Sequence, residues 1–296
     1  MRFRKLTLVL AAALAAGCGE RAEPVSGIRA SYPVTVAGAG ARVTVLARRP
    51  ERIVALDLGS AELVRALGGR LVGVPAGAPR SRSRKAEEIV SIGGQVDADA
   101  IVRLDPDLVV TRPGTDPVDV ARAKARTGAA VYVQPDESVE DVERAATDLG
   151  FLLGHPVRAR RLVASIQRGV AAAEATVAGR RRVRVFVDTG FLITVPARSL
   201  VADLVRRARG ASVAGATPPP RPFELCRVLR LRPDVILRVR SRSDPVAPRP
   251  RFRRCGQSGQ HIAVRTVPGE LVAHPGPRMP TALRAVARAL HPGAFR

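Results

Sequence analysis

The sequence predicts an α/β protein of two lobes joined by a single long helix, with a cleft between the lobes. Three observations carry this reading. The first is a repeated phrase: Arg-Leu-Asp-Pro-Asp-Leu-Val-Val at 103–110 and Arg-Leu-Arg-Pro-Asp-Val-Ile-Leu at 230–237. Each copy ends an amphipathic stretch (Ala100, Ile101, Leu104; Leu225, Val228, Leu229) and enters an apolar run. Proline disfavours the helical conformation in the residue before it, so Pro106 and Pro233 each mark a helix-to-strand switch. The prolines stand 127 residues apart, too far for a solenoid repeat and suited to a duplicated lobe.

The second observation is a shared order of parts. Arg52–Leu56 is a short apolar strand that leads through Asp57, Gly59 and Ser60 into a helix over Glu62–Leu67, stopped by Gly68 and Gly69. Val183–Val187 leads through Asp188, Gly190 and Ser199 into a helix from Asp203, stopped by Gly210. Ser60 and Ser199 suit helix N-caps, and the terminal glycines suit the left-handed position after a helix. The third is the link. Glu137–Leu153 shows helical spacing with Ser138 as cap, Gly154-His155-Pro156 breaks it, and Pro156 to Ala178 carries Leu162, Val163, Ile166, Val170 and Ala173 towards one side. A helix of about 23 residues is a rod of roughly 35 Å, long enough to bridge two lobes.

The N-terminus addresses the compartment. Arg2, Arg4 and Lys5 precede an apolar stretch from Leu6 to Ala16, too short to span a membrane as a stable helix. It ends in Leu14-Ala-Ala-Gly-Cys18 and resembles a bacterial lipoprotein signal, which implies lipidation at Cys18, export, and anchoring at the outer face of the cytoplasmic membrane. The Gly-, Ala-, Ser- and Pro-rich segment from Gly19 to Gly40 reads as a tether. The expected organisation is a signal peptide over 1–17, a lipidated N-terminus and tether over 18–47, a first lobe over 48–154, a connecting helix over 155–179 and a second lobe over 180–296.

The remaining cysteines, Cys226 and Cys255, are compatible with a disulfide or with free thiols. The four histidines (His155, His261, His274, His291) are scattered without metal-ligand spacing, so no bare metal site and no cofactor are expected. The net charge of +23 raises the question of nucleic acid. Residues 1–148 carry 21 basic and 19 acidic side chains, and residues 149–296 carry 28 and 7, so the excess lies in the second half. Aromatic residues are 3%, no nucleic-acid module is present, and arginine is dispersed among Ala, Gly, Pro and Val, so no nucleic-acid partner is expected. Motifs of nucleophilic or phosphate-transfer enzymes are also absent, and no enzymatic activity is expected.

The phrases Pro50–Leu56, Ala61–Gly68, Leu104–Val110 and Pro275-Gly-Pro-Arg278 resemble the helical-backbone substrate-binding proteins of ABC importers, which capture vitamin B12, ferric siderophores or haem. The resemblance runs in order over residues 48–292. It implies two Rossmann-like α/β lobes joined by a single long α-helix, a monomer, a metal-chelate ligand in the inter-lobe cleft, and delivery to a membrane permease and its ATPase. The ligand loops it implies are Asp57–Ser60, Pro75–Arg84, Thr111–Gly114, Asp188–Phe191, Arg238–Ser243 and Glu270–Arg278. Phe191 is the foremost aromatic candidate there, with Phe252 second. Asp57, Ser60 and Glu270 are polar candidates. Arg112, Arg240, Arg242 and Arg278 suit anionic oxygens, which tilts the expected ligand towards a ferric siderophore over a cobalamin-type corrinoid.

The family also docks on its permease through one surface acid per lobe. Seven residues before the repeated prolines stand Asp99 in the first lobe and Cys226 in the second, where the nearest acid is Glu224. Asp99 and Glu224 are therefore the docking candidates. A lipoprotein that keeps the fold and acts as a ligand sensor or interaction partner is the alternative.

Overall fold

The computed structural model describes residues 30–79, 88–216, 218, 221–241 and 262–295. The chain opens with an antiparallel hairpin, β1 (Val34–Ala37) and β2 (Val43–Leu46). The first lobe follows as β3 (Ile53–Ala55), α1 (Leu58–Leu67), β4 (Leu71–Pro75), β5 (Glu88–Ile92), β6 (Gln95–Val96), α2 (Ala98–Leu104), β7 (Leu108–Thr111), α3 (Pro117–Thr127) and β8 (Ala130–Val133). Its sheet has the order β6-β5-β4-β3-β7-β8 and is parallel except at the β5–β6 edge. Two helices, α4 (Val139–Leu152) and α5 (Pro156–Val177), come next. The second lobe comprises β9 (Val183–Asp188), α6 (Leu200–Arg207), β10 (Gly210–Ser212), α7 (Leu225–Arg230), β11 (Val235–Arg240), β12 (Ala263–Pro268), α8 (Gly269–Val272) and α9 (Met279–Leu290). Its sheet is parallel, in the order β10-β9-β11-β12.

In each lobe the first strand of the parallel sheet lies centrally. The chain runs outward to one side through β4 or β10, then crosses to the other side through β7 or β11. That reversal opens a crevice at the carboxyl ends of the central strands, the usual ligand position in such sheets. The strand-end loops therefore face the space between the lobes.

The repeated phrase proves to be a structural joint used twice. The Asp107 carboxylate accepts the backbone N–H groups of Glu51 and Arg52 at 2.8 and 3.0 Å, pinning the start of β3. The Arg52 guanidinium in turn donates to the Leu104 carbonyl at the end of α2. In the second lobe the Asp234 carboxylate accepts Arg184 N–H at 2.8 Å, and the Arg184 guanidinium donates to the carbonyls of Leu231 and Arg232 after α7. The residue before each proline, Asp105 or Arg232, takes a left-handed conformation with φ 41° or 47°. Proline keeps that residue out of the right-handed helix, and the aspartate after it fastens the neighbouring strand.

The link is stiffer than one helix. α5 connects the lobes covalently, and its Ala159 lies in the first lobe's core while Ile166, Val170, Ala173 and Val177 lie in the second's. α4 spans the same gap: Val139 and Val142 pack into the second lobe, and Ala145, Ala146, Leu149 and Leu152 into the first. Ser138 caps α4 as expected, accepting Asp141 N–H. A charged cluster fastens the second lobe to this pair. Arg207 of α6 bonds Asp203 at 2.8 Å, Glu174 of α5 at 2.6 Å, and Glu140 of α4. Asp203 also accepts the Val139 N–H at the start of α4.

Three local expectations need correction. α1 starts at Leu58, so its N-cap is Asp57, and Ser60 lies inside the helix. Gly68 does take the left-handed position after α1, with φ 84°, but after α6 that position is Arg209, with φ 59°. Gly210 instead begins β10, where a Cβ would lie 2.5 Å from Val205. Residues 34–46 are not tether: Val34, Val36 and Leu46 are buried in the first lobe's core, and their alternation with exposed neighbours is a strand period that glycine-rich flanks obscure.

Candidate ligand cleft

The lobes meet where the Pro275-Gly-Pro-Arg278 phrase of the second approaches the start of α1 in the first. The backbones come so close that a Cβ on Gly59 would lie 2.2 Å from the Pro275 carbonyl oxygen, and one on Gly276 would lie 3.4 Å from the Gly59 Cα. Gln134, fully buried after β8, donates through Nε2 to the same Pro275 oxygen at 3.4 Å. Arg278 spans the joint, donating to Glu62 of α1 at 3.0 and 2.7 Å and to the Glu270 carbonyl at 3.2 Å.

Around this joint lies a polar group drawn from both lobes. Arg112, following β7, faces Asp136 at 3.6 Å. Burial pushes the Asp136 carboxyl upward against the pull of Arg112, with Asp57, Glu137 and Asp141 adding to the rise. His274 stands just before the joint, with its Nδ1 buried and lacking a protein partner. Burial lowers its pKa, and the nearby Arg112 and Arg278 cations lower it further, against the raising influence of Asp57 and Glu62. Gln134 Oε1 is likewise buried without a partner. Unsatisfied buried polar atoms are costly, and in a cleft they suit a ligand's hydrogen-bonding groups.

The second lobe's wall is set by Asp188, which is buried at the end of β9. Its carboxylate accepts the N–H groups of Gly190 and Leu192 at 3.0 and 2.9 Å and faces Arg238 at 3.6 Å. This turn holds Phe191 at φ 52° with 67% of its surface exposed. Positive φ is uncommon for a bulky residue, and such strain clusters at functional loops.

Asp57, Arg112 and Arg278 thus lie within electrostatic range of His274. Ser60 is near them, buried inside α1, and donates to the Asp57 carboxylate at 2.5 Å, so its hydroxyl is committed to steadying Asp57. Arg278 is engaged as an inter-lobe bridge, and Glu270 joins it through its carbonyl. Phe191 and Arg240 sit at strand ends of the second lobe. Arg242, Phe252, residues 80–84 and Cys18 lie outside the described residues. Sequence reasoning missed Glu62, Gln134, Asp136 and His274. Glu62 lies within the phrase Ala61–Gly68 and His274 within the expected ligand loop Glu270–Arg278, which was the available signal, though neither was singled out; Gln134 and Asp136 had none beyond following a strand.

The docking candidates are exposed. Asp99, in the first turn of α2, pairs with Arg126 at 2.5 Å, and Glu224 occupies the N-cap position of α7 without a side-chain capping bond. Asp97 caps α2 at the position equivalent to Glu224, so the counterpart of Asp99 is Cys226. Cys226 is disulfide-bonded, and the other two cysteines, Cys18 and Cys255, lie outside the described residues. Among the described residues no cluster of three or more His, Cys, Asp or Glu is placed to hold a metal ion, and no helix is long and apolar enough to cross a membrane.

Known proteins share this architecture. A cobalamin-binding protein of Halobacterium salinarum is 27% identical over 190 residues, covering 62% of this chain and 52% of its own length. The chain thus spans about half the length of that curated relative. An uncharacterized ABC transporter substrate-binding lipoprotein of Bacillus subtilis, YvrC, is 22% identical over 309 residues, covering 98% of this chain and 96% of its own. A periplasmic haem-binding protein from Pseudomonas aeruginosa superposes with a TM-score of 0.67 at 20% identity, covering 82% of this chain and 93% of the other. The family model for periplasmic binding proteins matches residues 53–226, more than half of the chain. The chain belongs to the periplasmic binding protein family.

Proposed function

We propose that this protein is the substrate-binding lipoprotein of an ABC importer, capturing a metal chelate between its lobes and delivering it to a membrane permease and its ATPase. The observation that carries the reading is the inter-lobe joint, where Arg112, Asp136 and Gln134 of the first lobe's strand-end loops gather with His274 of the second lobe. The named relatives support the cargo class: one is a cobalamin-binding protein and another a substrate-binding lipoprotein of an ABC transporter. The chelate is a ferric siderophore or a cobalamin-type corrinoid. Arg112 favours the siderophore's anionic oxygens, and the uncharged acceptor of Gln134 suits a ligand that also donates hydrogen bonds. Lipidation at Cys18 holds the exported chain at the outer face of the cytoplasmic membrane, and Asp99 and Glu224 dock on the permease.

Calorimetric titration with cobalamin, haem and a panel of ferric siderophores tests the reading. One chelate is expected to bind per chain with Kd of about 1 μM or tighter. Silence across the whole panel would remove the proposal. Asp99→Ala should leave that affinity intact while lowering uptake by cells; equal loss of both would count against docking through Asp99. The disulfide at Cys226, where an acid was expected, favours a second reading as a sensor without transport. Under it, chelate binds while deletion of the gene leaves uptake unchanged.

A further inference from the structure

A second concave site lies on the flank of the first lobe. It is a groove of about 750 Å³ between the β1–β2 turn, the loop after β7, one face of α3 and the edge strand β8. Its origin is local. The hairpin leans on the edge of β8, where Thr44 Oγ1 donates to the Val131 carbonyl at 2.8 Å. Gly38 approaches the Val133 carbonyl so closely that a Cβ would lie 2.3 Å from it. α3 sends only Ala123 fully into the core, which leaves its Pro117, Val120 and Lys124 side facing the groove.

The lining is an apolar floor with a cationic rim. Val43, Val120, Val131 and Val133 supply apolar surface, and Val43 is 66% exposed. Arg42, Arg112 and Lys124 are the charged residues in the lining, which includes no carboxylate. Arg42 and Lys124 pair with no acid among the described residues. The first half of the chain is nearly balanced in charge, so an acid-free rim here is not part of the arginine excess of the second half. A groove of this volume suits a molecule of drug-like size.

We propose that this groove binds an amphipathic monocarboxylate, its apolar body on the valines and its carboxylate at the Arg42 and Lys124 rim. This is a second ligand, chemically distinct from the chelate. Because Arg112 belongs to both sites, occupancy of one is expected to alter affinity for the other, reciprocally.

The test is calorimetric titration of the whole protein with decanoate and with its uncharged methyl ester, at low and high salt. Decanoate should bind once per chain, weaken with salt, and exceed the ester by about tenfold or more. Arg42→Glu with Lys124→Glu should weaken decanoate by a similar factor while chelate binding persists. Equal binding of acid and ester would overturn the proposal, as would decanoate binding that survives the double substitution, or no binding of decanoate at all. The acid-versus-ester comparison on the unaltered chain stands even where the double variant fails to fold. A failure here leaves the chelate reading untouched, since that is tested by its own panel.

Discussion

Single side chains do much of the positioning in this molecule. Asp107 holds the N–H groups of Glu51 and Arg52 just before β3, and Asp234 the Arg184 N–H near the start of β9, so truncating either removes that acceptor from the sheet's entrance. Asp107→Ala is expected to cost about 1–3 kcal/mol in urea unfolding, and Asp234→Ala a similar amount. A loss confined to a few tenths would show that water replaces the carboxylate. His274 gives a pH signature. Its folded pKa is lowered below the ordinary 6.5, so the unfolded chain takes up the proton first as pH falls. Its contribution is complete above about pH 6.5 and is lost progressively below it. His155 and His291 are lowered too, so His274→Asn should remove part of the acid loss and not all of it. Superimposable stability–pH profiles for the two proteins would contradict this. At this scale the sequence was only partly legible. The capping serine at 199 was readable, but Asp57 and Ser60 compete for one helix start, and the aspartate wins because it lies three residues before the N–H it accepts.

At the scale of elements, the connection between the lobes is a helix pair locked by charge. The course of α5 was legible because Pro156 opens an apolar stripe that runs to about Ala178. That α4 also bridges was not, since its stripe looks the same whether it packs on one lobe or two. The lock centres on Arg207, whose side chain is 11% exposed and faces three carboxylates. Removing a buried ion's partner costs far more than the pair contributes, because the remaining charge stays desolvated. Arg207→Met is therefore expected to destabilise by about 3 kcal/mol, read from the denaturant midpoint. Replacing Arg206, more exposed and bonded to the same Asp203, should cost under about 1 kcal/mol. Equal effects would place the lock elsewhere.

The whole molecule is two similar lobes held at a narrow joint. Duplication was visible from the repeated prolines together with the shared strand, loop and helix order of the two halves, and a cleft followed from it. The contacts that set lobe separation were not visible, because they join residues 141 to 216 apart and depend on how the lobes face each other. Gly59 is the sharpest probe of that arrangement, since even one methyl group there meets backbone. Gly59→Ala should force the lobes apart and raise the radius of gyration in solution scattering, and Glu62→Gln, which weakens the Arg278 bridge, should do so to a lesser degree. An unchanged radius for both would mean that the helix pair, and not the joint, sets the separation.

The central claim is that cargo is held by both lobes at once. Hydrogen–deuterium exchange of the protein with and without the chelate that binds in calorimetry tests it most directly. Slowed exchange is predicted together at Asp57–Ser60 and Thr111–Gly114 of the first lobe and at Asp188–Phe191 and Glu270–Arg278 of the second. Protection confined to one lobe, or absent from all four loops, would contradict the account.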